Sequence, residues 1–110
     1  MKSFLLSLFA FTTLLASAQQ TTHSWTFDGE TREYISYVPA SYDGTTPVPV
    51  VFCLHGLGDN MTNFYGIGMN FVADTANFIV ITPQALVDPL LNSTAWNSGA
   101  SYLGYVLNPS

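Results

Sequence analysis

The sequence is poor in charge and almost without cations. Lys2 and Arg32 are its only lysine and arginine, against seven acids, for a formal charge of −5 over 110 residues. The lack of a basic patch argues against nucleic acid and anionic membranes as partners. Cysteine is nearly absent too: Cys53 stands alone, so no internal disulfide forms. It sits inside an apolar run with no basic residue nearby to activate it, and reads as a small buried hydrophobe. No apolar stretch reaches the roughly 20 residues that a membrane-spanning helix needs, so no stable membrane insertion is expected. No two carboxylates are spaced for acid–base work. His23 and His55 with scattered aspartates do not make a metal site, and repeats and charge runs are missing. What the chain has instead is aromatic content, at 15%, which suits a compact extracellular domain and not a disordered one.

The first residues read as an address. Lys2 is the only charge before Asp28, Phe4 to Ala16 is almost wholly apolar or small, and Ala16-Ser17-Ala18 is an A-x-A cleavage pattern. This predicts a secretory signal peptide over residues 1–18, cut between Ala18 and Gln19, and a secreted product, extracellular or periplasmic. Residues 19–110 suffice for one small domain.

Gln19 to Thr22 reads as a polar lead-in and His23 as a surface residue. Ser24-Trp25-Thr26-Phe27 alternates polar and apolar, Asp28-Gly29 is a turn pair, and Arg32 to Val38 is a return strand ended by Pro39. Together they predict an antiparallel hairpin at one edge of a sheet. Val50 to Leu54 is an unbroken apolar run, the pattern of a strand buried on both faces in a parallel sheet. Asn63 to Gly68 is ambiguous, since Gly66 and Gly68 weaken any helix. Asn70 to Ala76 carries a partial apolar face at helical spacing, with Asn77 as its end. Phe78-Ile79-Val80-Ile81 reads as a second buried strand, closed by Thr82-Pro83. Strand, glycine loop, helix and strand form a βαβ unit with parallel strands. Pro83 to Ser110 has no clear period and reads as a long irregular segment.

The loop after the first apolar run concentrates the chemistry. His55-Gly56-Leu57-Gly58 lies directly past the carboxyl end of the strand, where open α/β sheets bind ligands. Glycines there let a backbone N–H approach a substrate oxygen. A dinucleotide fingerprint would need a third glycine at position 61, which is Met61, so no cofactor is expected. The better match is an HG-type turn that offers a backbone N–H to a tetrahedral oxyanion, as in α/β-hydrolases.

Four pieces in order extend that match. They are Arg32-Glu33-Tyr34-Ile35-Ser36-Tyr37-Val38-Pro39, then Pro49-Val50-Val51-Phe52-Cys53-Leu54-His55-Gly56. Next come Ala73 through Pro83 and Gln84, with Asn77 where glycine is usual, and Thr94-Ala95-Trp96-Asn97-Ser98-Gly99. With them the chain resembles the secreted esterases related to polyhydroxybutyrate depolymerases and feruloyl or acetylxylan esterases. The resemblance implies the N-terminal part of an α/β-hydrolase fold: an edge β-hairpin, then a βαβ unit. It implies a polyester or plant-polysaccharide ester as substrate. It assigns the Leu57 backbone N–H to the oxyanion hole, supported by His55, Gly56 and Gly58, with His55 belonging to the turn and not serving as the catalytic base.

These enzymes carry a G-x-S-x-G nucleophile elbow, then an acid, then a histidine, and none of the three follows here. Gly99-Ala100-Ser101-Tyr102-Leu103 comes close, but Leu103 replaces the second glycine, so Ser101 reads as a loop serine. The expectation is therefore an esterase domain truncated before its elbow, inactive alone. The rival is a small secreted binding domain in which His-Gly-Leu-Gly is only a tight turn. Asn60-Met61-Thr62 and Asn92-Ser93-Thr94 match the glycosylation sequon, a common chance pattern in an Asn- and Thr-rich chain.

Overall fold

The Asp28-Gly29 turn sets the first half of the sheet. A two-residue hairpin loop of the kind that follows the natural strand twist needs φ > 0 at both central positions. Asp28 and Gly29 have φ of 53° and 78°. They join β1 (Gln19–Phe27) to β2 (Glu30–Val38), in register from Phe27 opposite Glu30 to Gln19 opposite Val38. The polar lead-in is thus part of the strand: Thr21 and Thr22 pair across to Ser36 and Ile35, because backbone pairing does not require apolar side chains. The computed structural model describes residues 17–98 together with the strands Ser101–Tyr102 and Tyr105–Val106. Most of the signal peptide reading, residues 1–16, lies outside the described residues.

The apolar run forms β3 (Val50–Phe52), and the Phe78–Ile81 run forms β4 (Ile79–Pro83). They pair in parallel, while β4 also pairs antiparallel with β2, giving the mixed order β1-β2-β4-β3. Two short helices cross between β3 and β4. The first, α1 (Met61–Tyr65), falls in the ambiguous stretch and starts because the Asn60 side chain accepts the Asn63 N–H at 2.9 Å, satisfying one of the orphan donors of a helix start. The second, α2 (Met69–Ala76), ends at Asn77 in the left-handed conformation, as αL caps do.

Both helices lie against one face of the sheet. Tyr37, Val80 and Cys53 project there with the fully buried Ala73 of α2, flanked by Val51, Phe64, Tyr65, Met69 and Phe78. Tyr37 donates to Asp74 Oδ1 at 2.6 Å, locking β2 to α2. Cys53 is a free, buried thiol, and burial pushes its pKa up.

The other face is bare, which corrects the expectation of strands covered on both sides. Val50, Phe52 and Leu54 are 49%, 65% and 53% exposed. Alternation turns these residues away from the helices, and nothing among the described residues covers them. Among the described residues the first apolar strand is also an edge strand, paired only with β4.

The segment after Pro83 is not irregular throughout. It holds an antiparallel pair, β5 (Leu86–Asp88) with β6 (Ser93–Ala95), and a second one, β7 (Ser101–Tyr102) with β8 (Tyr105–Val106). The first is closed by Asp88, whose buried carboxylate accepts the N–H groups of Leu90 and Leu91. Ser101 is therefore in a strand and not a loop, opposite Val106. Strand and return strand differ from the strand, turn and helix of a nucleophile elbow. No described helix is long and apolar enough to cross a membrane.

Candidate oxyanion turn

The turn at residues 55–58 leaves the sheet at the carboxyl end of β3, after Cys53 N–H makes a last bond to the Ile81 carbonyl at 2.8 Å. His55 is packed beneath it, only 2% exposed. Its Nδ1 lies 2.8 Å from the Gly56 carbonyl, and its Nε2 accepts the Ala85 N–H at 3.1 Å. A backbone N–H only donates, so Nε2 is the acceptor and the ring proton sits on Nδ1. That proton is given to the Gly56 oxygen, which also accepts the Asp59 N–H at 3.2 Å.

These bonds orient the next donor. The Gly56 carbonyl and the Leu57 N–H belong to one planar trans peptide and point in opposite directions. Two donors holding the carbonyl inward aim the Leu57 N–H outward. It meets no acceptor among the described residues. The following N–H, of Gly58, is already committed to the Thr94 carbonyl at 2.9 Å. Gly58 has φ of 76°, and a Cβ there would lie 3.1 Å from Ser93 Oγ, so any other residue would be strained. Gly56 differs, because its Cβ direction is open and its φ is ordinary.

The segment after β5 braces the turn at both ends. Trp96 Nε1–H donates to the His55 carbonyl at 2.7 Å, and Thr94 Oγ1–H donates to the Asp59 carbonyl at 2.6 Å. Trp96 also packs on the His55 ring, with centroids 5.1 Å apart. Beside the exposed Leu57 lies a groove of about 320 Å³ lined by Leu54, Leu57, Ala95, Trp96 and Ser98. The structure thus brings together His55, Gly56, Leu57 and Gly58 with the Trp96 loop, although 41 residues separate His55 from Trp96. The Ser101 side chain lies outside the described residues. His23 lies on the bare face, its Nε2 2.8 Å from Ser36 Oγ and its ring stacked on Tyr34.

Sequence reasoning missed Gln84, Thr94 and Asp59. Gln84 closes the third piece of the family resemblance and directly follows β4, at the same sheet edge that carries His55, but neither place announces its contacts. Among the described residues, no group of His, Cys, Asp or Glu is arranged to hold a metal ion.

No family model matches the chain, and no curated protein matches it in sequence. Solved structures do match, and these neighbours are α/β-hydrolases. A ferulic acid esterase superposes with a TM-score of 0.58 at 19% identity, over 84% of this chain and 38% of that one. An S-formylglutathione hydrolase from Agrobacterium tumefaciens gives 0.55 at 21% identity, over 83% of this chain and 31% of that one. The corresponding hydrolase from Staphylococcus aureus, as apoenzyme, gives 0.50 at 16% identity, over 82% and 35%. At these identities the likeness is one of fold alone. The chain spans between 31% and 38% of the length of these structures.

Proposed function

We propose that the chain is part of a secreted serine-type carboxylic-ester hydrolase, related to polyhydroxybutyrate depolymerases and feruloyl esterases. Residues 19–110 hold the oxyanion side of its site, without nucleophile, acid or base. The observation that carries this reading is the outward Leu57 N–H, aimed by a doubly held carbonyl beside the Trp96 groove. Attack on an ester carbonyl moves negative charge onto its oxygen. A preorganised N–H there stabilises that charge with little reorganisation, and one such donor is worth about 10²–10³-fold in rate. The groove lined by Leu54, Leu57 and Trp96 would receive the apolar part of an ester from a polyester or plant polysaccharide.

The test is amide NMR of the full chain titrated with ferulate, a carboxylate product of such an ester. Shifts at the Leu57 amide and the Trp96 indole support the reading. Shifts confined to other surfaces favour a non-catalytic binding domain. On short-chain p-nitrophenyl esters the chain alone should show no turnover above a denatured control, since among the described residues no nucleophile and base are in contact. Turnover abolished by Ser101→Ala would overturn that assignment. Export with cleavage before Gln19 belongs to the same proposal, and N-terminal sequencing of exported material checks it.

A further inference from the structure

We propose that Gln84 is the positioning residue that holds the oxyanion turn, acting through the His55 imidazole. The proposal rests on the role just given to the Leu57 N–H, and it concerns what keeps that N–H aimed.

The orientation of the Gln84 carboxamide follows from its neighbours. Its Oε1 accepts the Met61 N–H at 3.0 Å, and a backbone N–H cannot act as acceptor, so the oxygen faces α1. Its amine then faces the opposite way. One N–H goes to the Ala85 carbonyl at 3.0 Å and the other lies 3.3 Å from His55 Nε2. Every partner accepts where Gln84 donates and donates where it accepts.

His55 Nε2 therefore faces two donors, the Gln84 amine and the Ala85 N–H. Either a protonated Nε2 or an imidazolium would set N–H against N–H. The ring is held in the neutral Nδ1–H form, the form that donates to the Gly56 carbonyl at 2.8 Å. Through the planar Gly56–Leu57 peptide, that bond sets where the Leu57 N–H points. Gln84 also bonds the first residue of α1, so one side chain ties both ends of residues 55–61. Its own N–H donates to the Glu33 carbonyl at 2.9 Å, fixing Gln84 to β2. The turn is referenced to the sheet by this route as well as by β3.

The experiment uses the full chain. The ¹⁵N spectrum of the His55 ring in the wild type shows the neutral Nδ1–H pattern; an Nε2–H pattern overturns the proposal. Gln84→Glu keeps an acceptor for Met61 but turns a carboxylate toward Nε2. The amine that faces Nε2 is then gone, and the Leu57 amide resonance shifts. Gln84→Met removes all three side-chain bonds. The Leu57 amide resonance shifts and broadens as the turn loosens, while that of Val80 in the sheet stays as it was. A Leu57 resonance that is unchanged in both variants, or that changes only in step with Val80, overturns the proposal and leaves Gln84 a general stabiliser. These readouts need no ligand. A ferulate titration that leaves Leu57 unmoved would sink the oxyanion reading alone.

Discussion

The indole N–H of Trp96 donates to the carbonyl oxygen of His55 at 2.7 Å. This bond joins the loop after β6 to the turn after β3, and the two rings pack together as well. Trp96→Phe keeps an aromatic ring and removes the donor. The expected cost is about 1 kcal/mol, the net worth of a neutral hydrogen bond, read as a lower urea midpoint. An unchanged midpoint means that the bond contributes nothing to holding the loop on the turn.

Thr82 points the other way energetically. It is 1% exposed, and its hydroxyl oxygen has no hydrogen-bond partner among the described residues. A buried polar group without a partner costs about 1–3 kcal/mol. Thr82→Val has nearly the same shape and removes that group. The variant should unfold at higher urea than the wild type, and a lower midpoint would reveal a partner for the hydroxyl.

The Tyr37–Asp74 bond makes stability depend on alkaline pH. The hydrogen bond to Asp74, and then burial, push the Tyr37 phenol from 10.0 up to about 12. Burial, followed by the Asp74 charge, raises Tyr65 as well. A raised folded pKa means that the unfolded chain loses its proton first. The contribution is whole below 10 and is lost as pH rises toward 12. Urea melts across that window should show stability falling, and more shallowly in Tyr37→Phe. Parallel slopes for the two proteins would remove Tyr37 from the account.

The bare face of the sheet predicts self-association. Phe52 stands 65% exposed on the edge strand β3 beside Val50 and Leu54. An apolar edge with unpaired backbone groups invites pairing with another chain, and a lysine is a natural guard against it. Size exclusion should find the chain associated and Phe52→Lys shifted toward monomer. A wild-type monomer with a sharp cooperative melt would instead favour a self-sufficient binding domain.

How far the sequence disclosed this arrangement depended on the kind of signal. Asp28-Gly29 was readable because few residue pairs tolerate two positive φ angles, and the parallel pairing of β3 with β4 because a short crossover was written between two apolar runs. The exposure of Val50, Phe52 and Leu54 was not readable. An unbroken apolar run reports a strand suited to cover on both faces, while the described residues supply helices to one face only. The β5–β6 pair escaped because strands of three residues carry no period, and its turn is shaped by Asp88 bonding to backbone. At the candidate site, His55 to Gly58 announced themselves by glycine spacing. Gln84 and Thr94 act through polar contacts to residues distant in sequence, and no local pattern records those.

The tight loop at Asp28-Gly29 also sets a chemical clock. Glycine offers no side chain to shield its nitrogen, so the Gly29 amide can close onto the Asp28 carboxyl as a succinimide. Reopening at the other carbonyl gives isoaspartate, which adds one methylene to the backbone. A loop that holds only these two residues between Phe27 and Glu30 has no slack for it. Isomerisation at Asp28 should therefore be registered as fraying at this end of the hairpin, well away from the turn that carries Leu57.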